Sequence, residues 1–126
     1  MKIIIPMTGY GSRFVAAGYK DLKPFIKVQN KPIIQWIIEG MYPEEKNILF
    51  VCRQEHLDEI PDMRNQLLKI APTADIFAIR DWVKKGPVYD VLRAATRIED
   101  DEPCIINYCD FYMTWDYKKF VFDVKK

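Results

Sequence analysis

A mostly parallel, three-layer α/β sheet is the fold this sequence predicts, and two observations carry the prediction. Four short apolar runs recur along the chain with helical patterns between them, an alternation that yields parallel strands joined by right-handed crossovers. The first run also empties into a glycine-rich turn, and in such sheets ligands sit beyond the carboxyl ends of the strands. The 126 residues suffice for one small domain, and the 49% that are hydrophobic supply its core.

Met1 to Pro6, built on Ile3-Ile4-Ile5, reads as a buried strand. Ser12 to Ala17 is expected as a short helix closed by Gly18. Tyr19 to Val28 is expected to be extended, because Pro24 biases Lys23 away from helical geometry. Pro32 to Glu39 reads as a helix ended by Gly40. Its Ile33, Ile34, Trp36, Ile37 and Ile38 make it apolar nearly all round, which predicts burial against the sheet. Asn47 to Cys52 is the second strand. After it comes a polar segment holding His56, read as a surface residue without a role, and a helix from about Pro61 to Ile70 with Met63, Leu67, Leu68 and Ile70 on one face. Ala74 to Ile79 is the third strand and Pro103 to Asn107 the fourth. Between them Pro87 opens a helix to about Arg97, with Val91, Leu92, Ala94, Ala95 and Ile98 available for packing. A last short helix begins near Tyr117.

Charge and cysteine usage exclude several functions. Nineteen Lys and Arg against eighteen Asp and Glu leave a net charge of +1, so no global field favours nucleic acid or an anionic membrane. No apolar run approaches the roughly 20 residues that span a bilayer, and the chain starts on a strand-like segment rather than a leader, which predicts a cytoplasmic protein. Cys52, Cys104 and Cys109 lack a Cys-x-x-Cys spacing and His56 is the single histidine, so a disulfide framework and a zinc site are both unsupported; three buried, reduced thiols are expected.

The stretch from Ile3 through Met7-Thr8-Gly9-Tyr10-Gly11-Ser12-Arg13-Phe14, with Lys23-Pro24 beyond it, organises the functional reading. Glycines after a strand let the backbone turn sharply and approach a ligand, and N–H groups freed there attract phosphate. Arg13 and Lys23 add two positive charges to that rim, which suits a triphosphate. A dinucleotide fingerprint is excluded, since Phe14 stands where the third glycine belongs and the second strand ends in Cys52-Arg53 without an acidic residue. A Walker loop is excluded because no Gly-Lys-Ser/Thr tripeptide occurs. Taken alone, Gly9 and Gly11 fit a tight strand-to-helix turn equally well.

The ordered set is more specific. Met7 to Phe14, then Leu22-Lys23-Pro24-Phe25-Ile26-Lys27-Val28, then Asn30-Lys31-Pro32-Ile33-Ile34, resembles the opening of the nucleotidylyltransferases that activate sugar phosphates and phosphocholine. That family's pattern is a glycine-rich loop ending in Gly-x-Arg, a Lys-Pro pair, and a second Lys-Pro opening a helix. Thr8 stands where the family often has glycine, and Leu22 where proline usually precedes the lysine. The resemblance implies a Rossmann-like fold of the nucleotide-diphospho-sugar transferase type, shortened at its C-terminus. Residues 1–126 would form a single nucleotide-binding α/β domain, the N-terminal half of a domain about twice as long.

It also implies a reaction: transfer of a nucleoside monophosphate from a nucleoside triphosphate to a phosphorylated sugar or similar metabolite, with release of pyrophosphate. Arg13 and Lys23 would be catalytic; Met7, Thr8, Gly9, Gly11, Ser12 and Gly86 would bind the nucleotide. Asp110 would hold Mg²⁺, the cofactor, because it follows the apolar run Cys104-Ile105-Ile106 and offers the oxygen that a hard cation needs. Asp116 could be that ligand instead, or a helix cap. Gly86-Pro87 fits both close approach to a base or ribose and an ordinary loop-to-helix junction. Trp36, Trp82 and Trp115 could stack on a base or quaternary amine, or pack in core and rim. Lys84 and Lys85 are expected in solvent. The partners implied are the triphosphate and the phosphorylated acceptor, with no nucleic acid and no membrane; a homo-oligomer is compatible, and the product would serve nucleotide-sugar supply for cell-surface polysaccharide. Two other classes stay open: a non-catalytic nucleotide-binding or regulatory module, and a related nucleotide-sugar-dependent glycosyltransferase, although the Asp-x-Asp motif of the latter is missing.

Overall fold

A computed structural model describes residues 1–9, 22–60 and 62–124. Its contacts divide the chain into two compact units, Met1–Gly9 with Lys46–Tyr108 and a second unit described over residues 22–45 and 109–124.

The first unit is built on a four-stranded parallel sheet of β1 (Lys2–Pro6), β4 (Ile48–Arg53), β5 (Asp75–Ile79) and β6 (Cys104–Ile106), in the order β5-β4-β1-β6. Register pairs Ile4 with Leu49 and Ile106, and Val51 with Phe77. Ile3, Ile4 and Ile5 are fully buried, as are all six residues of β4, so both faces of the central strands are covered. Continuous β-branched and apolar runs are what a parallel sheet with two covered faces requires. Ile4, Leu49, Val51 and Ile79 pack with Val91 and Ala94 of helix α4 (Pro87–Arg93), and Phe77, Trp82 and Ile98 close this cluster. At the amino ends of the strands Lys2 donates to the Arg97 carbonyl at 2.7 Å, and Asn47 donates to Glu102 at 2.8 Å.

Two short helices follow β4: α2 (Gln54–Glu59) and α3 (Met63–Ile70). Here the sequence reading is corrected. The polar run after Arg53 is helical, braced by Gln54 donating to Asp58 at 2.9 Å, and His56 points inward rather than into solvent, 4% exposed. The expected long helix after Pro87 stops at Arg93 and continues as a single 3₁₀ turn, Ala95–Arg97. Leu92 and Ala95 are exposed, because the inward face is taken by Asp90, Val91 and Ala94. Cys52 is buried, but Cys104 lies exposed on the edge strand β6 and Cys109 is half-buried; all three are free thiols.

In the second unit, Lys23–Phe25 forms a 3₁₀ turn rather than part of an extended run. Proline is tolerated in that first turn, where its missing N–H has no partner to lose, and Phe25 and Ile26 donate back to the Leu22 and Lys23 carbonyls. A hairpin of β2 (Lys27–Val28) and β3 (Lys31–Pro32) follows, turned by Gln29 and Asn30 at φ 50° and 66°, the left-handed pair that a tight two-residue hairpin demands. Helix α1 (Ile33–Met41) buries Ile34, Ile37, Ile38 and Met41, and it runs through Gly40 instead of ending there. A Cβ at Gly40 would stand 2.8 Å from the Tyr112 ring, so the glycine makes room for an aromatic. Helix α5 (Tyr117–Val124) is capped by Asp116, whose Oδ1 accepts from the Lys119 N–H at 3.1 Å.

Candidate functional site

In the first unit the candidate residues gather where β1, β4 and β5 release the chain. Met7 still donates its N–H to Val51 at 2.8 Å, so sheet pairing continues one residue past β1. Thr8, 4% exposed, turns its hydroxyl onto Asp90 Oδ2 of α4. The same oxygen accepts the Trp82 indole N–H at 3.2 Å, and the Arg53 guanidinium, which pairs with Glu55, lies 3.9 Å from the Trp82 ring centroid. Side chains that follow β1 and β5 are thus tied through one carboxylate of α4, and Arg53 from the end of β4 stacks on one of them.

Asp90 is 1% exposed and its Oδ1 has no hydrogen-bond partner among the described residues. An unsatisfied buried acceptor costs about 1–3 kcal/mol, so a residue kept under that cost invites a functional account. Beside it, Gly9 is exposed and a Cβ there would meet nothing within 4 Å, leaving open space at the head of the loop. Gly86, at the N-cap of α4, has φ 96° and equally open surroundings; its glycine is demanded by backbone conformation, not by crowding. Arg93 fixes the approach to this turn by donating to the Arg80 and Asp81 carbonyls at 2.9 and 3.2 Å.

The second unit contributes a charge pair. Lys23 Nζ lies 2.6 Å from Asp110 Oδ2, with both side chains partly open to solvent. Lys23 is presented by the 3₁₀ turn, and Asp110 by the segment whose Trp115 donates to the Met41 carbonyl at 2.8 Å and packs edge-on against Tyr42. Cys109, next in sequence, is held as a thiol: burial pushes its pKa up to about 12, the Asp110 charge adds to this, and Lys23 opposes it. Neither a thiolate ligand nor a cysteine nucleophile is therefore on offer. Among the described residues no group of three or more metal-ligating side chains forms. One accessible carboxylate fits Mg²⁺ arriving with nucleotide phosphates, since that ion is commonly held by one or two carboxylates and completed by phosphate and water; it does not fit a cation held by the protein alone.

Of the residues singled out in the sequence, Lys23 and Asp110 are brought together, and Thr8 and Gly86 are joined through α4, where the Asp90 N–H donates to the Gly86 carbonyl at 3.3 Å. Gly11, Ser12 and Arg13, and the helix expected over 12–17, lie outside the described residues. Asp116 is a cap. All three tryptophans pack: Trp36 donates to the Val28 carbonyl at 2.9 Å under Lys31, Trp115 joins an aromatic cluster, and Trp82 is covered by Arg53. Lys84 and Lys85 are exposed as expected. Asp90 and Arg53 were missed. A lone aspartate four residues into a helix reads as solvated, and nothing in its spacing marks it as buried.

Comparison with known proteins bears on the fold. No family model matches the chain. A curated relative from Methanocaldococcus jannaschii, named "Putative UTP--glucose-1-phosphate uridylyltransferase", is 30% identical over 104 aligned positions that take in 68% of this chain and 37% of the relative. Among solved structures, a UDP-glucose pyrophosphorylase complexed with UDP-glucose superposes with a TM-score of 0.58 at 22% identity, covering 86% of this chain and 45% of that one. HddC from Yersinia pseudotuberculosis, complexed with GMP-PN, reaches a TM-score of 0.69 at 18% identity over 97% of this chain and 53% of that one. The chain thus spans between about a third and a half of the proteins it matches. Within that span it resembles the sugar-phosphate nucleotidylyltransferases in sequence and has their Rossmann-like, mostly parallel α/β fold.

Proposed function

We propose that this chain is the nucleotide-binding half of a Mg²⁺-dependent sugar-phosphate nucleotidylyltransferase, a single nucleotide-binding domain over residues 1–126 that acts in the cytoplasm, where nucleoside triphosphates are found. The observation that carries the reading is the 2.6 Å pair of Lys23 and Asp110. These are the two residues that the family resemblance assigns to the α-phosphate and to the metal, and folding brings them together from distant parts of the sequence. The curated relative's uridylyltransferase name and the UDP-glucose held by one solved neighbour support the substrate class.

A phosphate oxygen of the acceptor attacks the α-phosphorus, the bond from that phosphorus to the β-phosphate's bridging oxygen breaks, and pyrophosphate departs. Little covalent work falls to the protein; it aligns anions and neutralises charge. Met7, Thr8, Gly9, Gly11, Ser12 and Gly86 hold the nucleotide, and Arg13 grips the β- and γ-phosphates. Lys23 moves its charge onto the α-phosphate and incoming phosphate. Asp110 holds Mg²⁺, which when bound supplies charge neutralisation to the phosphates. Because Lys23 pairs with the Asp110 carboxylate, release of the lysine to phosphate and exposure of the carboxylate to metal are coupled.

The test is release of pyrophosphate on incubating the protein with each of the four nucleoside triphosphates, Mg²⁺ and hexose 1-phosphates. Pyrophosphate formed only with acceptor supports the transferase. Triphosphate binding without any release supports a second reading, a nucleotide-binding module. Absence of both contradicts the proposal.

A further inference from the structure

We propose that Asp90 is a positioning residue for the nucleoside end of the substrate, acting through Thr8 and Trp82. This rests on the nucleotidylyltransferase reading of the same site. Asp90 Oδ2 accepts from the Thr8 hydroxyl, at the head of the glycine loop, and from the Trp82 indole, in the segment leading to Gly86. Its own N–H donates to the Gly86 carbonyl, so one residue fixes both the head of the glycine loop and the Gly86 segment, the two backbone stretches assigned to the nucleotide. Arg53 stacks on Trp82 and holds the indole in the plane that makes its bond. Lys23 and Asp110, assigned to phosphate and metal, pair with each other.

The burial argues for function over packing. Asp90 keeps one oxygen without a partner among the described residues, whereas a leucine of similar volume would carry no such group. Replacing both partners of a buried hydrogen bond by apolar side chains of the same shape is often nearly neutral or stabilising. A carboxylate retained in that setting is retained for what it orients.

The account separates nucleoside from phosphate recognition, and binding reads the difference. Calorimetry would measure the affinity of the unaltered protein, Asp90→Asn, Thr8→Ser, and a Thr8→Val/Asp90→Leu double variant for a nucleoside triphosphate and for inorganic tripolyphosphate, with melting temperature followed in parallel. The double variant removes the Thr8 donor and the Asp90 acceptor together, so only the half-buried Trp82 N–H loses its Asp90 acceptor. It should melt within a few degrees of the unaltered protein, lose about tenfold or more in nucleoside triphosphate affinity, and bind tripolyphosphate within about threefold of it. Thr8→Ser, which keeps the hydroxyl, and Asp90→Asn, which keeps an acceptor oxygen, should retain most of the nucleoside affinity. Equal losses for both ligands, or an unchanged nucleoside affinity in the double variant, would overturn the inference while leaving the proposed function standing. Failure of the unaltered protein to bind any nucleoside triphosphate would overturn both.

Discussion

The two clusters of functional residues are built on opposite principles. Thr8, Asp90, Trp82 and Arg53 form a network in which Thr8, Asp90 and Arg53 are almost fully buried, joining the ends of three strands to a helix. Lys23 and Asp110 form a single pair open to solvent on a short turn and a loop. A buried network is costly to disturb and suits the fixing of geometry. An exposed pair contributes about 0–1 kcal/mol to stability and exchanges its partners cheaply, which suits groups that must leave one another for phosphate and metal.

The largest effects should come from breaking the exposed pair, and they should fall on function. Lys23→Ala should lower turnover in an active form by about 10²-fold or more, as loss of other fixed charge stabilisers does, while moving the melting temperature little. The same change frees the Asp110 carboxylate, so Mg²⁺ titrated without nucleotide should bind more tightly to the variant than to the unaltered protein. Asp110→Asn should abolish the Mg²⁺ dependence of triphosphate binding and spare its metal-free component. Turnover unchanged by the Lys23 substitution would erase the distinction between the two clusters.

Effects on the buried side should be smaller and should fall on stability. His56 lies in α2, on the strand end that carries Arg53, and burial together with the Arg53 charge lowers its pKa to about 4, against a smaller opposing effect of Glu59. Its folded pKa lies below the unfolded value near 6.5, so its contribution is complete above pH 6.5 and is lost as pH falls towards 4, where the unfolded chain takes up a proton that the folded one refuses. A loss of up to about 3 kcal/mol over that window is expected, and urea titrations of His56→Gln should show a flatter acid limb than the unaltered protein. Gly86→Ala should cost about 1–2 kcal/mol, because an alanine at φ 96° is strained although its Cβ has room. Gly40→Ala should cost least, since the Tyr112 ring that it meets is half exposed and can swing away.

The same contrast explains what was legible in the sequence. All four strands of the main sheet could be read, because Ile3-Ile4-Ile5 or Leu49-Phe50-Val51 has few alternatives to burial in a sheet. Gly86 before Pro87 and Asp116 before Tyr117 marked helix starts through local chemistry that needs no tertiary partner. The hairpin over 27–32 escaped because Gln29-Asn30 lacks the glycine that usually announces left-handed turns. Asp90 and His56 escaped because polarity predicts exposure, and what buries them is the packing of chain distant in sequence. Gly40 was misread for a related reason: its need for space comes from Tyr112, seventy-two residues away. Lys23 and Asp110 were each singled out, by the family's residue order and by their places beside the glycine loop and after the run Cys104-Ile105-Ile106, but no local pattern announced that they pair.

The most direct test of the central claim is a thermal unfolding series with ATP, CTP, GTP and UTP, each with and without Mg²⁺. A ligand at 100 times its Kd stabilises the folded protein by about 2.7 kcal/mol. At least one triphosphate should therefore raise the melting temperature by several degrees, more with Mg²⁺ than without, and Asp110→Asn should remove the Mg²⁺ increment. If none of the four triphosphates moves the transition at millimolar concentration, the glycine loop is a turn of the fold and the nucleotide site does not exist.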